Sequence, residues 1–405
     1  MKKRILIYSQ SDLSRDPRVV RQIDLLREDY IVETAGLAPS FYQELSFLDL
    51  RDRIRLRRGK GLLALLRYFF GHGIEKGIEL SLYWTLLKMP AFNWLKVAIE
   101  IYGLKRRTLR SIRRRKYDLV IANDLSALAI CSLSKNGKFL YDAHEFSPGQ
   151  YVHRRSTLPA RSFVDYQLRR FLPACDVITT VSKGIAEKYH CTYEIDPPEI
   201  ITNAPRFEDL EPIYRNDGVI RLVHHGAAIR SRAIETLITA VLSLDERFEF
   251  DLFLVRSDPV YYKELVGCAA GSRRVHFLDP VPMKELPSVL NAYDIGLYSL
   301  PPTTLNQKYA LPNKIFEYVQ SRIGVAIGPS IEMAEYVKRY RIGVVAMDFS
   351  PKALASALSS IDAAAIRTFK ANSHIYAREL SADSQMAKLK QIVETLVEPS
   401  PRRGL

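Results

Sequence analysis

Short apolar runs recur along the chain, each followed by a stretch with apolar residues at helical spacing. Arg4–Tyr8 (RILIY) is a β-branched run of the kind that a strand buried on both faces shows, and it opens onto the polar loop SQSDLSRDPR. Pro17 suits a first helical turn with Asp16 near the cap, and Val19, Val20, Ile23, Leu25 and Leu26 continue at helical spacing. Tyr30–Gly36 (YIVETAG) supplies the next strand, so the opening predicts a βαβ unit. The pattern resumes with a strand over 117–122, a helix over 127–134, a strand over 138–141, the loop Asp142–Glu145, a helix over 160–172 and a strand over 176–181. A further helix starts at 182–184, and a short strand over 200–202 closes this half.

Residues 206–218 (RFEDLEPIYRNDG) are polar and lack an apolar period, which predicts a linker. Strands then fall at 220–224, 250–255, 275–277, 295–300, 325–327 and 343–346. Helices at 233–244, 259–269, 283–291, from about 313, and 351–361 alternate with them, and the loop 225–232 follows the first strand. The tail 375–397 reads as one long helix, long enough to pack back across the first half. Repeated βα units predict two Rossmann-like domains, each a doubly wound parallel sheet, facing a central cleft where ligands bind at the strands' carboxyl ends. The boundaries are 1–205, with an insertion at about 51–116; the linker 206–218; 219–374; and a returning helix and tail at 375–405.

Composition alters this picture at one place. The formal charge of +14 concentrates at 51–60 (RDRIRLRRGK) and 105–116 (KRRTLRSIRRRK), on either side of 61–103, which is rich in Leu, Phe, Tyr and Trp. Basic clusters bordering so much aliphatic surface favour an anionic membrane over nucleic acid, and no apolar run reaches the ~20 residues that a membrane span needs. The competing reading is a set of helices packed into the first domain's own core with solvated basic faces. MKKRILIYSQ has too short an apolar run for a signal peptide, so a cytoplasmic protein, peripheral on the inner face of the cell membrane, is expected. Cys131, Cys175, Cys191 and Cys268 lack metal or C-x-x-C spacing and read as reduced thiols. G-x-G-x-x-G, G-x-x-x-x-G-K-[ST] and G-x-S-x-G are absent from the sequence, which argues against dehydrogenase, P-loop and hydrolase chemistry.

Leu305–Pro329 runs from a Pro-broken loop into a helix at Asn313 and on to the strand Val325–Ile327, the junction at which α/β sheets hold phosphorylated ligands. Together with SDLSRDPRVVRQ, YDAHEFSP, DVITTVSKGIAE and LVHHGAAIRSRAIETLITA, the run NKIFEYVQSRIGVAIGPSIEMAEYV resembles the GT-B glycosyltransferases, specifically the retaining family 4. The resemblance implies transfer of a sugar from a nucleoside diphosphate to a lipid-linked or saccharide acceptor, as in surface polysaccharide or glycoconjugate assembly, with retention of configuration. It makes Glu317 the acceptor for ribose hydroxyls and sets Asn313 and Lys314 against the diphosphate or sugar. Gly226 and the loop to Arg232 match the phosphate-binding loop. Family members often carry Arg directly after that Gly; Ala227 here leaves the charge to Arg230 or Arg232, with Arg232 favoured by position. His144 matches the histidine at the donor sugar, with Glu145 placed to orient it, so the implied catalytic groups are His144, Arg232 and Lys314. Asp16 and Arg18 would face the acceptor, although Asp16 also suits a helix N-cap. A family carboxylate eight residues before Glu317 is replaced by Tyr309. No D-x-D pair occurs, so neither a metal nor another cofactor is implied, and nucleic acid is not an expected partner. A nucleotide-sugar 2-epimerase and a non-catalytic nucleotide-sugar-binding relative remain open as alternatives on the same fold.

Overall fold

The computed structural model describes residues 2–42, 44–50, 89–98, 101, 105–151 and 158–398. The chain divides into two units. Unit one comprises Met1–Val181, Ile185–Ile201 and Lys388–Leu405, and unit two comprises Ser182–Gly184 and Thr202–Ala387. Each is built on one all-parallel sheet with helices connecting its strands.

The sheet of unit one has seven strands: β1 (Arg4–Ser9), β2 (Ile31–Gly36), β3 (Ser46–Asp49), β4 (Leu119–Asn123), β5 (Lys138–Ala143), β6 (Val177–Thr180) and β7 (Glu199–Ile200). Their order is β3-β2-β1-β4-β5-β6-β7, so the sheet is wound outward in both directions from the junction of β1 and β4. β4 is buried at every position, as expected of a central strand covered on both faces. β3 has no counterpart in the sequence reading because FLD is too short and too polar to show a period. β5 runs two residues further than expected, which takes Asp142 and Ala143 out of the loop and into the sheet.

In the sheet of unit two the order is β10-β9-β8-β11-β12-β13. Its strands are β8 (Ile220–Ala227), β9 (Phe248–Val255), β10 (Val275–Leu278), β11 (Ile295–Tyr298), β12 (Gly324–Ile327) and β13 (Gly343–Val345). The winding reverses between β8 and β11, and an opening for a ligand forms at such a reversal. Two apolar clusters cover the sheet. One is built around Leu222, Phe248, Phe250 and Leu252, and the other around Val223, Phe316, Val325 and Ile327. Each fully buried Leu, Ile or Phe contributes roughly 1.5–3 kcal/mol.

The linker 206–218 has no regular structure but is tied down within unit two. Phe207 N–H donates to Asp383, Glu208 N–H to Gln320, and Lys370 Nζ to the Ile213 carbonyl at 2.7 Å. The expected single tail helix is instead two helices, Ala363–Tyr376 and Ala382–Val397. The break between them is held by Gln320 Nε2, which donates to the carbonyls of Ala377 and Leu380, while the Ser381 hydroxyl accepts from Ser384 N–H at the next helix start.

Most of the basic–aliphatic stretch, 51–88 with 99–100 and 102–104, lies outside the described residues. Its described parts are packed. Helix Asn93–Ala98 buries Leu95 and Val97, and Asn93 donates to Ser162 on helix Leu158–Phe171. Helix Arg106–Arg114 buries Thr108, Leu109 and Ile112 against helix Leu125–Ser134 and leaves Arg106, Arg107, Arg110, Arg113 and Arg114 exposed. Among the described residues no helix is long and apolar enough to cross a membrane.

Candidate functional site

The end of β8 is where unit two gathers its charge. Gly226 belongs to the strand itself, not to a loop after it, and has φ of +120°, a conformation L side chains rarely adopt. A Cβ there would come within 2.7 Å of Lys314 Nζ and 3.1 Å of Arg232 Nη1, so both cations converge on the bare backbone. Arg232 Nη1 also donates to the Ala227 carbonyl at 3.3 Å. Lys314 is buried on the first turn of helix Asn313–Gln320, with its ammonium 5.5 Å from the Tyr298 ring centroid. Burial lowers its pKa to about 8; Arg232 acts in the same direction and Glu317 opposes. Asn313, half-buried, stands at the helix start, whose Pro312 cap makes no side-chain hydrogen bond, so the first-turn amides remain available to an anion.

Glu317, three residues after Lys314, is 6% exposed. Burial alone would raise its pKa, but His225, Lys314 and Arg232 together hold it below the ordinary glutamate value. His224 and His225 are both driven toward the neutral form, chiefly by burial. Two cations against one carboxylate leave this cluster with net positive charge. Arg230 is not part of it: its guanidinium is exposed, makes two 2.6 Å hydrogen bonds to Glu264 and lies over the Tyr261 ring. Tyr309, at the position of the missing family carboxylate, ends helix Leu305–Lys308. Its ring packs on Gly184, where an added Cβ would strike it, and its carbonyl accepts from Ser182 Oγ at 2.8 Å.

In unit one the carboxyl ends of β4 and β5 carry a buried polar network centred on Asp142. Asp142 accepts two bonds from Arg18 at 2.5 Å, one from Gln22 at 2.8 Å and one from Thr179 at 2.6 Å, and against the opposing effect of burial the Arg18 guanidinium and His144 hold its carboxyl far below the usual range. Arg18 is enclosed here, with a further bond to the Ile201 carbonyl at 3.0 Å. The residue that the sequence reading set toward the acceptor thus has its guanidinium engaged in this network. Asp16 caps helix Pro17–Leu26, accepting from Arg18 N–H and Val19 N–H, and also takes a bond from Ser11 Oγ at 3.0 Å.

His144 follows β5 directly. Its Nδ1 is 3.2 Å from Asp124 Oδ1, and its Nε2 is 3.6 Å from Asp142 Oδ2. Burial opposes its charge, but the two carboxylates outweigh it and raise the imidazole pKa to about 9. These two aspartates therefore set the ring; Glu145 instead accepts from Gln150. Asp124, Asp142 and His225 escaped the sequence reading. His225 carried one usable signal, its place immediately before Gly226. Among the described residues no group of three or more His, Cys, Asp or Glu is placed to hold a metal ion.

Residues 75–205 match the family model described as Glycosyltransferase Family 4. No curated protein sequence matches the chain. Among solved structures, HepE of Anabaena in complex with UDP-glucose is similar over 97% of this chain and 100% of its own, with TM-score 0.64 and 15% identity. Sucrose-phosphate synthase from Thermosynechococcus elongatus is similar over 98% and 99%, with TM-score 0.66 and 15% identity. WaaG, a glycosyltransferase involved in lipopolysaccharide biosynthesis, is similar over 96% and 99%, with TM-score 0.60 and 13% identity. The fold is thus that of the GT-B glycosyltransferases, two parallel-sheet α/β domains in one chain.

Proposed function

We propose that this chain is a nucleotide-sugar-dependent glycosyltransferase whose unit two binds the donor. The observation that carries the reading is the convergence of Lys314 and Arg232 on Gly226, one helical turn from the buried carboxylate of Glu317. A nucleoside diphosphate offers a diphosphate for the two cations and the helix start, and ribose hydroxyls for the carboxylate. The family match and a neighbour that binds UDP-glucose support the same reading.

In the transfer, the bond between the sugar's anomeric carbon and the diphosphate breaks and a bond to the acceptor oxygen forms, with the acceptor proton passing to the departing diphosphate. Lys314 and Arg232 stabilise the negative charge that develops on that leaving group. We assign His144, held protonated, to the transferred sugar as a hydrogen-bond donor. Retention of configuration and independence from metal belong to this proposal. Isothermal titration with nucleoside diphosphates, followed by turnover of their sugars with and without chelator, tests it. Absence of both binding and turnover across the panel refutes it, and donor conversion with no acceptor present points to the epimerase instead.

For the acceptor we propose a lipid-linked or saccharide substrate at the inner face of the cell membrane. Support comes from the exposed arginines of helix Arg106–Arg114 and from Trp94, 48% exposed on helix Asn93–Ala98. Co-sedimentation with anionic vesicles at low salt, lost at high salt, is the expected result; no binding at either would sink the membrane assignment.

A further inference from the structure

Strand β8 delivers one more group to the donor pocket. His225, the residue before Gly226, is 5% exposed, and its Nε2 lies 3.2 Å from Glu317 Oε2. The two atoms are within hydrogen-bonding distance, and Nε2 has no other hydrogen-bond partner among the described residues. The ring stands edge-on to Tyr318, with centroids 5.6 Å apart and planes at 89°. Tyr318 is itself fixed by donating its hydroxyl to the Leu297 carbonyl at 3.1 Å. Ring orientation is therefore set by packing, with Nε2 against the carboxylate.

An ionised carboxylate only accepts hydrogen bonds, so the nitrogen facing it carries the proton. Burial disfavours the charged imidazole, which makes His225 the neutral Nε2–H tautomer. The neighbouring His224 cannot substitute. Its Nδ1 faces the Leu297 carbonyl at 2.9 Å and must hold its proton there, which leaves its Nε2 a bare acceptor. Lys314 and Arg232 attract Glu317 through space, and neither makes a hydrogen bond to it among the described residues.

We propose that His225 is a positioning residue for Glu317: its Nε2–H braces one carboxylate oxygen and leaves the other free for the hydroxyls of a ribose. The inference rests on the reading of Glu317 as the ribose-binding carboxylate. It has a specific consequence. Preference for a ribonucleoside diphosphate over its 2′-deoxy counterpart depends on a side chain that does not touch the ligand.

The test is isothermal titration of the full chain with UDP, GDP and ADP, each beside its 2′-deoxy analogue. The native protein is expected to bind at least one ribonucleotide about ten-fold tighter than the deoxy form. His225→Phe keeps an aromatic ring against Tyr318. It is expected to cut that preference to about three-fold or less, through weaker ribonucleotide binding alone. Glu317→Ala should abolish the preference, and adding His225→Phe to it should change nothing further. Equal weakening of both ligands by His225→Phe, or an unchanged ratio, overturns the positioning role while leaving the ribose assignment intact. A Glu317→Ala protein with native preference, or no binding of any ribonucleotide, overturns both. Should His225→Phe not fold, nitrogen NMR of the native imidazole decides: a protonated Nε2 is expected, and a bare Nε2 overturns the proposal.

Discussion

Asp124 holds His144 from a backbone conformation that only glycine adopts freely. Its φ is 64° and ψ 166°, while its Oδ1 lies 3.2 Å from His144 Nδ1. Such a residue costs on the order of 1–3 kcal/mol and persists only where the surroundings enforce it. The strain does not serve the adjoining helix, which receives no side-chain cap from Asp124. Asp124→Gly relieves that strain but gives up part of the stability that the raised His144 pKa contributes, so at neutral pH the two effects should largely offset, while His144 titrates closer to the ordinary ~6.5 and turnover drops. Denaturant unfolding and an NMR titration of the imidazole check both halves. Lost stability with an unchanged His144 titration would contradict the account.

The raised pKa of His144 also gives stability a pH dependence. Its folded value of about 9 lies above the unfolded value, so its contribution is complete below about pH 6.5 and is lost as pH rises through 9. The difference in unfolding free energy between the native chain and His144→Gln should shrink over that window by at most roughly 3 kcal/mol. Taking the difference cancels the opposite trend of Lys314, whose depressed pKa adds stability as pH climbs past 8.

Gly226→Ala places a methyl 2.7 Å from Lys314 Nζ at a φ of +120°. Displacement of the ammonium should abolish measurable nucleoside diphosphate binding and cost about 1–3 kcal/mol in unfolding. A variant with native affinity by titration calorimetry would show that Gly226 is not part of the cradle.

The three candidate cations should separate cleanly. Lys314→Gln and Arg232→Gln are each expected to weaken diphosphate binding about ten-fold or more, whereas Arg230→Gln, already paired to Glu264, should stay within about two-fold. Because free Lys314 loses its proton above about pH 8, donor KM should rise beyond that pH in the native chain. Lys314→Arg should flatten the rise.

Much of the fold was legible because central parallel strands are nearly pure apolar runs: RILIY and YDLVIA mark β1 and β4 within two residues. The misses have local causes. The tail helix broke at Ser381, whose hydroxyl caps the following turn, but the apolar spacing runs on across it. Of the site, Lys314 and Glu317 were readable because they share one helix start. The pairing of Arg18 with Asp142 was not, since 124 residues separate partners that the fold brings to 2.5 Å. The choice between Arg230 and Arg232 turned on Glu264, a residue on another helix.

Gly226 and Lys314 occupy one volume, and that has an evolutionary side. The lysine reaches its place only while the side chain at 226 is missing. The two positions should thus show epistasis. In a combinatorial library, a shortened residue at 314 is expected to relieve the clash of a replacement at 226 but not the cost of its φ of +120°, a partial coupling that single-site scans would record as two unrelated intolerant positions.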